Sequence, residues 1–123
     1  MQPPFSLRSN VIQFRKRWII AIIAIVLVVA VYLVFNLVRG ISYYNRGIAC
    51  YAKGQYDRAI SDYSKALEIN PKDTAAYNNR GLAYYRKGEY DKAWEDVHKA
   101  QGLGHQVRPG FLKALREASG REK

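Results

Sequence analysis

"YNRGIACYAKGQYDRAISDYSKAL", residues 44–67, returns 34 residues later as "NNRGLAYYRKGEYDKAWEDVHKAQ", residues 78–101, with 13 of the 24 aligned positions identical. A fixed period of this size marks stacked supersecondary units, and about 34 residues suits a helix–turn–helix. Tyr43, Arg46, Gly47 and Cys50 recur at helical spacing in the first copy, and Tyr77, Arg80, Gly81 and Tyr84 repeat them in the second. Gly47 and Gly81 permit close approach by the second helix of each pair. Gly54 and Gly88 stand where the first helices should end in a left-handed residue that needs no side chain. Asp57 and Asp91 open the second helices at the positive end of the helix dipole. Ala59, Tyr63 and Ala66 form the inward stripe of one second helix, and Ala93, Val97 and Ala100 that of the other. In "INPKDT", residues 69–74, Pro71 halts the helix, and Asp73 or Thr74 can cap the next.

These residues resemble the tetratricopeptide repeat family. The aromatic and glycine opening of each copy, the "G-x-Y-D-x-A" turn and the closing "ALEINP" carry the resemblance, which covers residues 40–107 as two units, 40–73 and 74–107. It implies an all-α fold, a short α-solenoid. The second unit departs at its end: "AQGLGHQV", residues 100–107, lacks the closing proline, and Gly102 and Gly104 predict a helix that stops one turn early. The register nonetheless survives, because a further 34 residues from Tyr77 lands on Phe111. "PGFLKALREAS", residues 109–119, sets Phe111, Leu112 and Leu115 on one face. This predicts a terminal helix, with its tail spanning 108–123, that covers the apolar end of the array. Repeat arrays generally need about three units for independent stability, so a domain of two units and a cap is either marginal alone or completed by contact with itself, the membrane or another subunit.

Upstream lies "WIIAIIAIVLVVAVYLVFNLV", Trp18 to Val38, 21 residues without a charge. At helical rise such a run spans about 31 Å, the thickness of a bilayer's hydrocarbon core. It is longer than the ~7–15 residues of a signal-peptide apolar region. No small-residue cleavage site follows it, and Arg39 occupies the exit. An uncleaved single-pass anchor over 18–38 is expected, in contact with membrane lipid, with a basic arm over 1–17. "MQPPFSL" opens that arm with two prolines and predicts irregular structure there.

The formal net charge of +10 divides between the arm, at +4 from Arg8, Arg15, Lys16 and Arg17, the lone Arg39, and a mildly basic +5 over residues 40–123. Nucleic-acid footprints are denser than this mixed surface, so nucleic acid is not favoured as a partner. Basic residues beside the span favour a cytoplasmic N-terminus and a repeat domain on the far side, as in a bacterial inner (plasma) membrane.

The resemblance implies that the first helix of each pair faces a concave groove for a protein partner, a peptide segment or a subunit of a membrane complex. Carried over, the groove receives Tyr44, Asn45, Ile48 and Tyr51 from the first unit. The second supplies Asn78, Asn79, Leu82, Tyr85 and Arg86, and the terminal helix Lys113 and Arg116. Asn side chains can hold a peptide backbone, and tyrosines give rigid contact area. Asn79, Tyr85 and Arg86 are expected exposed near the centre, contributing little to folding. The basic residues at one end favour an acidic segment or a C-terminal carboxylate. A receptor-like or nucleic-acid-contacting protein is the other function class considered.

Nothing in the sequence supports catalysis, a metal or a cofactor. Cys50 is the single cysteine, at an inward helix position where a small buried hydrophobe is expected. His98 and His105 read as exposed helix and turn residues without zinc-site spacing. "GLG" at 102–104 lacks the third glycine of a nucleotide loop. Asp57 and Asp62, like Asp91, Glu95 and Asp96, read as an outer helix face paired with Arg58, Lys65, Lys92 and Lys99.

Overall fold

The computed structural model describes residues 4–121, which form five α-helices and no strand. Residues 1–3 of the expected arm and 122–123 of the expected tail lie outside the described residues. α1 runs over Phe5–Ala52, α2 over Tyr56–Ile69, α3 over Thr74–Lys87, α4 over Tyr90–Gly102 and α5 over Pro109–Ser119. The fold is therefore an all-α solenoid in which α2 packs on α3, α3 on α4 and α4 on α5. By its contacts the chain divides into two compact units, one ending at Asn36 and one beginning at Leu37.

The N-terminal unit is helical from Phe5 onward. The irregular arm expected from its prolines is confined, among the described residues, to Pro4. The residues after it contain no further proline or glycine to interrupt a helix until Gly40, and a single glycine costs an existing helix only about 1 kcal/mol. From Trp18 to Val38 every large apolar side chain stands exposed, Val31 at 69% and Val28 at 68%. The best 18-residue window of this helix has mean hydropathy 3.2, long and apolar enough to cross a membrane. A signal sequence near an N-terminus passes the same test.

The repeat unit is built as its glycines require. Gly54 and Gly88 adopt φ of 72° and 82° and end the first helix of each pair. The Gly88 N–H donates to the Tyr84 and Tyr85 carbonyls, which closes the last turn of α3. Asp73, not Thr74, is the cap of α3: its carboxylate accepts from the Ala76 N–H at 3.0 Å. α4 ends at Gly102, only one residue short of the position equivalent to Ile69, the end of α2. The expected loss of a whole turn does not occur, because the left-handed residue is Gly104, at φ of 90°, and His105 N–H still reaches the Ala100 carbonyl at 2.9 Å.

Both inward stripes are buried: Ala59, Tyr63 and Ala66 in α2, and Ala93, Val97 and Ala100 in α4. α5 closes the array as its register predicts. Leu115 is fully buried against Ala93, Trp94, Val97 and Ala100, with Phe111 and Leu112 packed beside it. The Trp94 Nε1–H donates to Ser119 Oγ at 3.1 Å, which satisfies the indole's single donor at the end of the cap.

Candidate partner-binding site

The expected groove residues lie on the C-terminal part of α1, on α3 and on α5, and the structure separates them into two kinds. The first kind locks neighbouring helices together. Asn79 Nδ2 donates to the Tyr44 hydroxyl at 2.9 Å, and Arg86 Nε reaches the Tyr51 hydroxyl at 3.4 Å. Both links join α1 to α3 across 35 residues, one more than the repeat period. Burial pushes the Tyr44 hydroxyl above its ordinary pKa, with the Asp73 charge adding to it. Tyr85 meets Phe111 of α5 edge-on, with centroids 5.7 Å apart, and Tyr90 at 5.9 Å. Tyr51 meets Tyr56 edge-on at 5.4 Å. Asn78 and Leu82 are half-buried beside them. Asn79 and Tyr85, expected to be exposed and dispensable for folding, are instead half-buried members of these contacts. The physical reason is that adjacent first helices lie close enough for a tyrosine to bond directly to the residue 35 positions on, one past its repeat equivalent.

The second kind is open. Asn45, Ile48, Lys113 and Arg116 are exposed, Ile48 at 43%, and Arg86 belongs to both kinds, exposed although its Nε also reaches Tyr51. Lys113 makes only a long pair with Glu117 at 3.9 Å, one turn along α5. Arg116 lines a different depression, with Trp94, His98, Gln101, Leu112 and Arg121, between α4 and α5.

Sequence reasoning missed the strongest electrostatic feature. Asp62 and Asp96, assigned to an outer helix face, are 4% and 3% exposed. Arg46 donates to Asp62 through Nε at 2.7 Å and through Nη2 as well. Arg80 donates to Asp96 through Nε at 2.8 Å and Nη2 at 2.7 Å, and its Nη1 continues to Ser64 Oγ on α2 at 2.9 Å. Each pair is a two-pronged guanidinium–carboxylate contact between the two helices of one repeat, and of the two arginines only Arg80 also reaches the other repeat, through Ser64. The environments differ. The Arg46 guanidinium holds the Asp62 carboxyl below its ordinary range, whereas burial pushes the Asp96 carboxyl up against the pull of Arg80. The available signal was that both Arg and both Asp recur at the same 16-residue separation in the two copies. Asp57 and Asp91 likewise pair away from their own helix neighbours, Asp57 with Lys87 and Asp91 with Arg121, each at 2.6 Å.

The remaining polar candidates are accounted for by packing. Cys50 is half-buried rather than buried, at the edge of a depression it shares with Arg46 and Asp62. His98 is exposed and stacks on Trp94, with centroids 5.5 Å apart, and His105 is half-buried. Among the described residues no group of three or more His, Cys, Asp or Glu side chains is placed to hold a metal ion.

Paired antiparallel helices at a 34-residue period, with glycine at the crossing points and a terminal cap, define a helical-repeat interaction module. A family model described as TPR repeat matches residues 47–88, and one described as Tetratricopeptide repeat matches residues 74–103. Residues 47–103 therefore carry tetratricopeptide repeats, a repeat type found generally in non-catalytic modules with protein partners. The apolar part of α1 and the whole of α5 lie outside both matches. A comparison with curated proteins returned no match.

Proposed function

We propose that this protein is a membrane-tethered interaction module: a scaffold, assembly factor or accessory subunit that holds a segment of a protein partner along α1, α3 and α5. What supports the reading is that one helix, Phe5–Ala52, contains both the bilayer-length apolar run and the first helix of the first repeat. The apolar residues of 18–38 would lie in lipid, the basic arm in the cytoplasm, and the repeats on the far side. The full-length protein should remain in the membrane fraction after alkaline carbonate washing, with its N-terminus intact. Release, or a mature chain starting after Val38, would replace the anchor by a signal sequence.

Within the site, Asn45, Ile48 and Arg86 are the contacts available to a partner, since their side chains are exposed. Arg86, with Lys113, favours an acidic segment or a terminal carboxylate. Asn45→Ala, Ile48→Ala and Arg86→Ala together should leave the melting temperature nearly unchanged, because exposed substitutions cost about 0.5 kcal/mol or less. The triple variant should lose a partner that crosslinks to the wild type in membranes, while Glu95→Ala with Lys99→Ala on α4 should retain it. Loss with the α4 pair and retention with the triple variant would move the partner to the outer face. Collapse of capture between low and moderate salt would instead indicate binding to phosphates through the basic surface, the receptor-like or nucleic-acid alternative.

A further inference from the structure

A group of cations and one tyrosine collects immediately beyond the apolar run, on a face the partner site does not use. Arg39 directly follows Val38, and Tyr43, Arg46 and Cys50 continue its stripe along α1 at four- and three-residue steps. α2 runs back beside this stripe. Its end lies at the start of it, since a Cβ at Gly40 would come within 3.2 Å of Ile69 Cγ2. Arg58, Ser61 and Lys65 of α2 therefore line one open depression with Arg46, Cys50 and Asp62.

The group is electropositive by more than composition. The Arg46 guanidinium lies 5.2 Å and the Lys65 ammonium 5.5 Å from the centre of the Tyr43 ring. Arg39 hydrogen-bonds the Tyr43 hydroxyl and holds it below the ordinary tyrosine pKa, and the charges of Lys65 and Arg46 act in the same direction. Asp62 has both oxygens engaged by Arg46, and Glu68 is an exposed acid one turn beyond Lys65. Arg58 and Lys65 are exposed. At helical rise Tyr43 lies about 8 Å along α1 from Val38, about the depth of one headgroup layer.

We propose that Arg39, Tyr43, Arg46, Arg58 and Lys65 hold the phosphate of an anionic membrane lipid where the chain leaves the bilayer. A guanidinium such as that of Arg58 can pair with phosphate oxygens through two donors, Arg46 adds charge while its Nε and Nη2 stay on Asp62, lysine supplies a point charge, and tyrosine sits stably at headgroup depth. The inference rests on the reading of residues 18–38 as an anchor.

The test uses the full chain in two steps. Flotation with vesicles of phosphatidylcholine alone reads the anchor, and failure to float there sinks the anchor reading itself. Native mass spectrometry from mild detergent, with phosphatidylglycerol and phosphatidylcholine in equal amounts, then reads the site. The wild type should retain phosphatidylglycerol in preference. Arg58→Gln with Lys65→Gln, which touches neither the span nor the Arg46–Asp62 pair, should weaken that preference by about fivefold per cation removed. Lys113→Gln with Arg116→Gln removes the same charge elsewhere and should leave it unchanged. Equal loss in both double variants, or none in the first, would overturn the proposal, the latter pointing to the N-terminal arm. Displacement of the lipid by millimolar inorganic phosphate would overturn it in favour of a free-phosphate site.

Discussion

Arg80→Ala should lower the stability of the repeat domain by about 3–5 kcal/mol, the cost of leaving a buried carboxylate without its partner. That is a large part of the roughly 5–15 kcal/mol available to a whole domain. The Arg80 side chain is 20% exposed and that of Asp96 4%, so solvent cannot replace the lost guanidinium, and the Ser64 hydroxyl loses its donor too. The deficit should depend on pH. Burial already pushes the Asp96 carboxyl up, and without Arg80 it rises further above its unfolded value. A group raised in this way favours folding below its unfolded pKa and opposes it as pH climbs through the folded pKa. Thermal melts of Arg80→Ala should therefore approach those of the wild type on acidification and diverge toward neutral pH. Replacing both partners, Arg80→Met with Asp96→Val, should recover most of the loss, since an apolar pair leaves no uncompensated charge. Arg46→Ala should cost far less, because that side chain is 58% exposed and water takes over much of its role. Equal melting shifts for Arg80→Ala and Arg46→Ala would refute this account of the two pairs.

Gly47→Ala should destabilise by about 1–3 kcal/mol even though alanine is the better helix former by about 1 kcal/mol. A Cβ at Gly47 would lie 2.6 Å from Cε1 and 2.8 Å from Cδ1 of Tyr63. That ring is 1% exposed and held beside Tyr44, with centroids 5.9 Å apart, so it has nowhere to move. Gly81→Ala should stay within about 1 kcal/mol of the wild type, the gain in helix propensity offsetting a milder contact. Its Cβ would meet Asp96 Cβ at 3.3 Å and the Ala93 carbonyl at 3.4 Å, with Val97 Cγ2 at 3.9 Å. Gly81→Leu, which must place three further carbons there, should again cost about 1–3 kcal/mol. Chemical denaturation of the four proteins orders them directly, and Gly47→Ala melting with the wild type would show that the α1–α2 crossing is looser than described.

The elements of this protein were legible in its sequence because their determinants are local. Gly54 and Gly88 act on their own backbone, Asp73 on an N–H three residues away, and Ala59 to Ala66 on a stripe that helical periodicity alone defines. The 34-residue identity fixed the register of α5 through Phe111, and the apolar run announced itself by length and lack of charge. Tertiary structure decided what periodicity cannot express. Asp62 and Asp96 sit at helix positions that look outward by charge, and only the crossing of paired helices brings Arg46 and Arg80 onto them from 16 residues away. Asn79 and Tyr85 were separated from solvent by neighbours 35 and 26 residues distant, Tyr44 and Phe111. Two glycines identical in sequence came to differ because one faces Tyr63 and the other Val97. Local geometry depends on a few adjacent torsions and is repeated wherever the residues repeat. Side-chain partners depend on the distance and angle between helices, which the whole packed domain sets at once.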